Sequence, residues 1–246
     1  MVWALLGSGE FQPWSRAVDG LVLREAAGDG RVLILPTASA PEGDEVFDRW
    51  GAMGLEHFAT QGIPAEVVPL KTSRDAQRSE LAERLAGASV AYFSGGNPAY
   101  LAATLAGSRF WTALQEAMAR GLGYVGCSGG VACLGAVAPD SGFRHLTPEL
   151  WRPGLGVFPG TLFAPHWDTV EAYVPGLRRF VLEAVPPGGR VVGLDERTAM
   201  VGDGTSWRVI GAGAIHVLED GEWGRHGAEA RFVLPISREG SPSPDG

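Results

Sequence analysis

Short apolar runs alternate along this chain with longer stretches whose apolar residues recur every three or four positions. The runs at 2–6, 32–35, 65–70, 89–93, 123–126, 156–159 and 190–194 are four to six residues long and mostly apolar. Runs of that length read as strands buried on both faces. Between them, 14–26 carries Val18, Leu21, Val22 and Leu23, and 45–61 carries Val46, Trp50, Met53, Leu55 and Phe58. These segments read as helices, as do 79–86, 99–105 and 111–119. Strands separated by helices predict an α/β fold: a doubly wound, mostly parallel sheet with helices on both faces and right-handed crossovers.

After residue 190 the pattern changes. Runs at 198–201, 206–210, 214–218 and 231–234 are joined by turns such as Gly202-Asp203-Gly204. They read as antiparallel strands near the C-terminus that extend or edge the main sheet. There is no internal repeat and no composition break, so a single α/β domain is expected over 1–236. The tail at 237–246, with Gly240-Ser241-Pro242-Ser243-Pro244, is expected to be disordered.

Charge and composition narrow the partners. The net charge is −8 and Lys/Arg never cluster, which argues against a nucleic-acid or anionic-membrane partner. No stretch approaches the length of a membrane span. The start of the chain, Met1-Val2-Trp3-Ala4-Leu5-Leu6, lacks a basic leader, and the cytoplasm is the expected location. The only cysteines, Cys127 and Cys133, offer neither a disulfide framework nor a zinc pattern and read as small buried hydrophobes. No metal or organic cofactor is implied.

Chemistry concentrates at Gly126-Cys127-Ser128-Gly129-Gly130. This G-x-S-x-G follows an apolar run and precedes the small-residue segment Val131-Ala132-Cys133-Leu134-Gly135-Ala136. Strand, sharp turn and helix in that order make a nucleophile elbow. The turn lifts a serine oxygen clear of the sheet and points a helix N-terminus at the reacting atom. With 36 glycines in the chain, a bare glycine-rich turn is the competing reading, so the partners decide.

A serine nucleophile needs a base, an orienting acid and an oxyanion hole. Of the five histidines, His57, His216 and His226 sit in settings that read as structural or solvated, and His145 is a weak candidate. His166, in Phe163-Ala164-Pro165-His166-Trp167-Asp168, lies where a doubly wound sheet places its catalytic loops. Glu196 leads the acids, with Asp195 and Asp140 as rivals; a self-bonded turn is the bland alternative. Ser94-Gly95-Gly96-Asn97-Pro98 can supply the oxyanion hole, with the N–H groups of Gly96 and Gly129 as donors. Asn97, Trp167 and Asp168 are the expected substrate contacts. No P-loop Lys-Ser/Thr follows these glycines. Gly7-Ser8-Gly9-Glu10 lacks the third glycine of a dinucleotide fingerprint, so nucleotide binding is disfavoured.

Together these segments resemble the dipeptidase E / cyanophycinase family of serine peptidases, which has the class I glutamine-amidotransferase-like fold. The shared landmarks are Gly7-Ser8-Gly9-Glu10, Leu35-Pro36-Thr37-Ala38-Ser39, Phe93-Ser94-Gly95-Gly96-Asn97, the elbow at Ser128, Pro165-His166-Trp167, and Gly193-Leu194-Asp195-Glu196-Arg197-Thr198-Ala199. The resemblance implies Ser128 as nucleophile and His166 as general base. Glu196 matches the acid that cyanophycinases use, while dipeptidase E has been read with an aspartate between serine and histidine, which keeps Asp140 open. A homodimer is the expectation by analogy.

The chain also departs from the family. The family elbow usually reads G-x-S-A-G-A, and Gly129 and Val131 stand here where alanines are usual. The arginines that hold the cyanophycin polymer are replaced by Trp167-Asp168-Thr169-Val170-Glu171-Ala172-Tyr173, so cleavage of cyanophycin is disfavoured. Arg178 and Arg179 lie near the position of the aspartate-recognising arginine of dipeptidase E. Related amidotransferases use cysteine at the elbow tip. Here Ser128 holds the tip and Cys127 precedes it, pointing into the sheet, which disfavours a glutaminase. The leading expectation is a serine hydrolase of dipeptides or short peptides. A catalytically silent binding or regulatory protein on the same fold is the alternative, and an esterase using the same triad is a third reading. Substrate specificity is expected to lie in the loops at 37–45, 141–155 and 167–176.

Overall fold

The computed structural model describes residues 1–142 and 145–236, apart from the side chain of Tyr173; the expected disordered tail at 237–246 lies outside the described residues. The first half of the chain alternates strands and helices. The strands are β1 (Trp3–Leu6), β2 (Val32–Leu35), β3 (Ala65–Val67), β4 (Val90–Phe93) and β5 (Gly123–Cys127). The helices are α1 (Arg16–Glu25), α2 (Asp44–Ala59), α3 (Ser79–Ala82), α4 (Pro98–Leu105), α5 (Arg109–Ala119) and α6 (Gly129–Ala132). All five strands run parallel, in the spatial order β1-β5-β4-β2-β3.

Alternation within each strand assigns its two faces. Ala4 and Leu6 of β1 pack with Ile34, Tyr92 and Val125 against Val18 and Val22 of α1 and Phe58 of α2. Trp3 and Leu5 face the other way, with Leu33, Phe93 and Tyr124, toward Leu101, Phe110, Leu114 and Val131 of α4, α5 and α6. Both faces are covered, so β1, β2, β4 and β5 are buried along their whole length. Each apolar side chain so buried contributes roughly 1.5–3 kcal/mol.

The second half adds β6 (Val137–Pro139), β7 (Trp151–Pro153), β8 (Thr161–Pro165), α7 (Val170–Tyr173), α8 (Leu177–Glu183), β9 (Arg190–Leu194), β10 (Thr198–Gly202), β11 (Ser206–Gly211), β12 (Ala214–Glu219), β13 (Glu222–Gly227) and β14 (Arg231–Val233). β10, β11 and β14 extend the main sheet antiparallel from the β1 edge, giving eight strands. A separate four-stranded sheet, in the order β13-β12-β9-β8, packs its Val192, Leu194, Ile215 and Val217 into the core on the α4–α6 side.

Several expectations need correction. The strand expected over 65–70 ends at Val67, and the helix expected over 79–86 is α-helical only at Ser79–Ala82, tightening to a 3-10 turn at Glu83–Leu85. Residues 156–159 form a loop, not a strand. Gly156 and Gly160 have φ of 64° and 65°, outside the extended region, and Phe158 is buried as an anchor. The strand is β8, which follows. Residues 190–194 and 214–218 are strands but leave the main sheet. The turn through Gly211 (φ 120°) and Gly213 lies against the end of β9, where a Cβ on Gly213 would come within 2.6 Å of Asp195 Cβ. The chain therefore re-enters beside β9, with Ile215 opposite Leu194. Among the described residues no helix is long and apolar enough to cross a membrane.

Candidate active site

The carboxyl ends of β1, β4, β5, β8 and β9 meet at one place, and their loops carry the polar residues singled out by the sequence. β1 and β5 are in register, Leu6 opposite Cys127, so Gly7 and Ser128 leave the sheet side by side. β8 and β9 are likewise in parallel register, Pro165 opposite Leu194, which sends His166 out next to Asp195 and Glu196.

Ser128 occupies a strained turn, with φ 50° and ψ −106°. A non-glycine residue holds such angles only when its surroundings fix it. Here Ser128 N–H donates to Leu6 O at 3.0 Å, and Ser128 O accepts from Val131 and Ala132 at the start of α6. Tyr124 O–H donates to Gly130 O at 2.6 Å. A Cβ at Gly126 would lie 2.3 Å from Gly130 O, and one at Gly130 would lie 2.5 Å from Phe93 O. Only glycine permits this close path of backbone past backbone.

Ser128 Oγ lies 2.9 Å from His166 Nε2, and His166 Nδ1 lies 3.2 Å from Glu196 Oε1. The geometry suits Ser128 donating to the ring and the ring donating to the carboxylate. Both supporting side chains are about one-third exposed, His166 37% and Glu196 31%. The Glu196 turn is itself held, because its N–H donates to Asp168 Oδ1 at 2.8 Å. Thr169 Oγ lies 3.3 Å from both Glu196 Oε1 and His166 O. The rival acids are engaged elsewhere. Asp140 Oδ1 accepts from Asn97 Nδ2 at 2.7 Å, and Asp195 accepts from the Ala214 N–H and faces His216 Nε2 at 3.0 Å.

Beside Ser128, Gly96 and Gly129 touch each other. A Cβ on Gly129 would come within 2.6 Å of Gly96 O. Among the described residues neither N–H has a hydrogen-bond acceptor, and both glycines border a cavity of about 700 Å³ that also reaches Ser128 and His166. The N–H of Gly95 is engaged with Glu10 Oε1 at 2.8 Å. Asn97 caps α4, its Oδ1 accepting from Tyr100 N–H, and borders a neighbouring groove. Trp167 lines the cavity and packs on Gly193 and Trp223. Asp168 is exposed and bonds the Glu196 turn.

Among the described residues, none of the remaining histidines and neither cysteine makes a side-chain hydrogen bond to Ser128, His166 or Glu196. His57 is buried against Asp19 at 2.7 Å, and His226 stacks on Phe232. His145 is exposed at the cavity wall. Cys127 and Cys133 are buried and unbridged. Burial, then the Glu10 carboxylate, pushes the Cys127 thiol well up; burial pushes that of Cys133 up to about 12. Sequence reasoning missed Glu10, whose other oxygen accepts from Cys127 Sγ at 2.9 Å. It was visible only as the fourth residue of Gly7-Ser8-Gly9-Glu10. Thr169 gave no signal beyond standing three residues after His166.

The chain has the class I glutamine-amidotransferase-like fold, with a serine turn at the carboxyl end of its main sheet and a histidine brought beside it from the second sheet. The chain belongs to peptidase family S51, whose sequence profile matches residues 3–210. The crystal structure of a peptidase from an acI-B1 Actinobacterium is similar at 26% identity and a TM-score of 0.86, covering 95% of this chain and 96% of that one. A putative peptidase E protein from Listeria monocytogenes EGD-e has the same fold at 17% identity and a TM-score of 0.58, covering 93% and 98%. Comparison with curated proteins gave no match.

Proposed function

We propose that this peptidase is of the serine type and cleaves dipeptides or short peptides in the cytoplasm. The observation that carries the reading is the continuous contact from Ser128 Oγ through His166 to Glu196, at 2.9 and 3.2 Å. His166 Nε2 takes the Ser128 proton as Oγ attacks the peptide carbonyl. Glu196 holds Nδ1–H and balances the imidazolium charge. The N–H groups of Gly96 and Gly129 receive the oxyanion. His166 then gives its proton to the leaving amine, and water attacks the acyl-enzyme by the same route in reverse. The free, unbridged thiols of Cys127 and Cys133 fit a reducing compartment.

A fluorophosphonate probe with mass-spectrometric location of the adduct tests this reading. Wild type and Cys127→Ala are expected to carry the adduct on Ser128, Ser128→Ala to carry none, and a dipeptide library to be turned over by the first two only. A folded wild type that takes no adduct and cleaves no peptide would be the silent binding protein instead.

A further inference from the structure

We propose that the cavity beside Ser128 selects an acyl residue with a bulky apolar side chain, of the leucine or phenylalanine type, over an acidic one. This deepens the serine-peptidase reading and rests on it. The acyl residue stays bonded to Ser128 in the intermediate, so its side chain must be housed next to the elbow in both chemical steps.

Beyond Ser128 and His166 the cavity walls are Leu146, Leu150, Trp151, Val170, Leu177 and Val181. Its volume of about 700 Å³ takes a large side chain with room to spare. Trp151 is backed by a stack on Phe180, with ring centroids 5.6 Å apart and 15° between planes. Among the described residues, the ionisable groups on the lining besides the two histidines are Asp140 and Glu196, both acidic. Among the described residues no lysine or arginine lines the cavity. Neither of the two arginines in the region expected to recognise an aspartate lines the cavity, although the buried Nε of Arg178 has no hydrogen-bond partner among the described residues. Arg178 donates to Trp167 O and lies over the Trp167 ring at 4.9 Å. Arg179 is at the surface, paired with Glu183 at 2.7 Å. An aspartyl side chain entering here would lose its water and meet like charge without a described cation to pair it. A leucyl or phenylalanyl side chain would exchange water for apolar wall.

The test measures the rate of adduct formation at Ser128 by α-aminoalkyl diphenylphosphonates whose side chains mimic leucine, phenylalanine and aspartate. A fluorophosphonate serves as the reference that needs no side-chain recognition. The leucine and phenylalanine analogues are expected to react at least about tenfold faster than the aspartate analogue. Leu177→Arg, with folding checked by thermal melting, is expected to shrink that ratio at least about tenfold by placing a cation on the wall. An aspartate analogue that reacts as fast as the apolar ones in wild type overturns the proposal, and so does a ratio unmoved by Leu177→Arg. A wild type that reacts with the fluorophosphonate but with none of the analogues also overturns it, leaving the serine reading intact. Failure of the fluorophosphonate itself removes the serine reading and this one together.

Discussion

Glu10 and Gly95, 85 residues apart, are joined by a 2.8 Å hydrogen bond from the Gly95 N–H to Glu10 Oε1. Glu10 is 6% exposed, and its second oxygen holds the Cys127 thiol, one residue before the elbow tip. One carboxylate thus ties the Gly95-Gly96 loop to the end of β5. Glu10→Ala removes the acceptor for both buried donors, at roughly 1–3 kcal/mol for each one left unpaired. Thermal melting is expected to fall by several degrees, and kcat by more than KM rises, because the Gly96 N–H loses its register with Ser128. Glu10→Gln, which keeps an acceptor for Gly95, is expected to recover most of the melting temperature. Equal melting of all three proteins would show the bond to be unimportant.

Gly129 stands where the family usually has alanine, and this structure has no space for that methyl, since its Cβ would meet the Gly96 carbonyl oxygen at 2.6 Å. Gly129→Ala must push the Gly96 loop away from the elbow. A drop in kcat/KM of about tenfold or more is expected, because sub-ångström placement of oxyanion donors governs the rate. Unchanged kinetics in Gly129→Ala would mean that the loop yields without consequence.

Glu196 and Asp140 are separable as the third member of the triad. Glu196→Gln leaves His166 without a carboxylate on Nδ1 and is expected to lower kcat on the order of 10³-fold or more. Asp140→Asn, whose side chain faces Asn97, is expected to change kcat less than about threefold. Steady-state kinetics on the two variants decides between them, and the reverse ranking would assign the role to Asp140.

The buried thiols give the protein an alkaline limit. Cys133 releases its proton near pH 12 when folded, pushed up by burial, but at an ordinary thiol value when unfolded. Above about pH 9 the unfolded chain therefore binds fewer protons than the folded one. Stability is full below that value and falls as pH rises toward 12, by about 1.4 kcal/mol per pH unit for this one group. Melting curves from pH 8 to pH 10.5 are expected to decline less steeply for Cys133→Ala than for wild type. In the native protein at pH 8, neither Cys127 nor Cys133 is expected to react with a thiol reagent until the chain unfolds.

The sequence spoke most clearly where burial is complete. β2 and β9 match their apolar runs end to end, and β1, β4 and β5 to within a residue, because strands covered on both faces need apolar residues throughout. The run at 156–159 misled for the same reason. Phe158 is fully buried, but as a single anchor between two left-handed glycines, and burial alone does not distinguish an anchor from a strand. The division of the late strands between two sheets was illegible, because it depends on which edge a turn at Gly211–Gly213 approaches. At the site, Ser128, His166 and Glu196 were readable as residue types at strand ends. The Glu10–Gly95 bond was not, since a carboxylate meeting a backbone N–H across 85 residues leaves no periodicity behind.

Ser128 belongs to the eight-stranded sheet, whereas His166 and Glu196 extend from the four-stranded one. The 2.9 Å contact between serine and histidine is therefore a gap between two bodies, and its width is set by what fills the seam. Phe158, Val192 and Leu194 act as the spacer between the two sheets, and Phe163 fills the same seam while also lining the cavity beside Ser128. On the proposed mechanism, catalytic rate would become a gauge of core thickness: trimming or swelling the seam would change the spacing of serine and histidine without altering either residue.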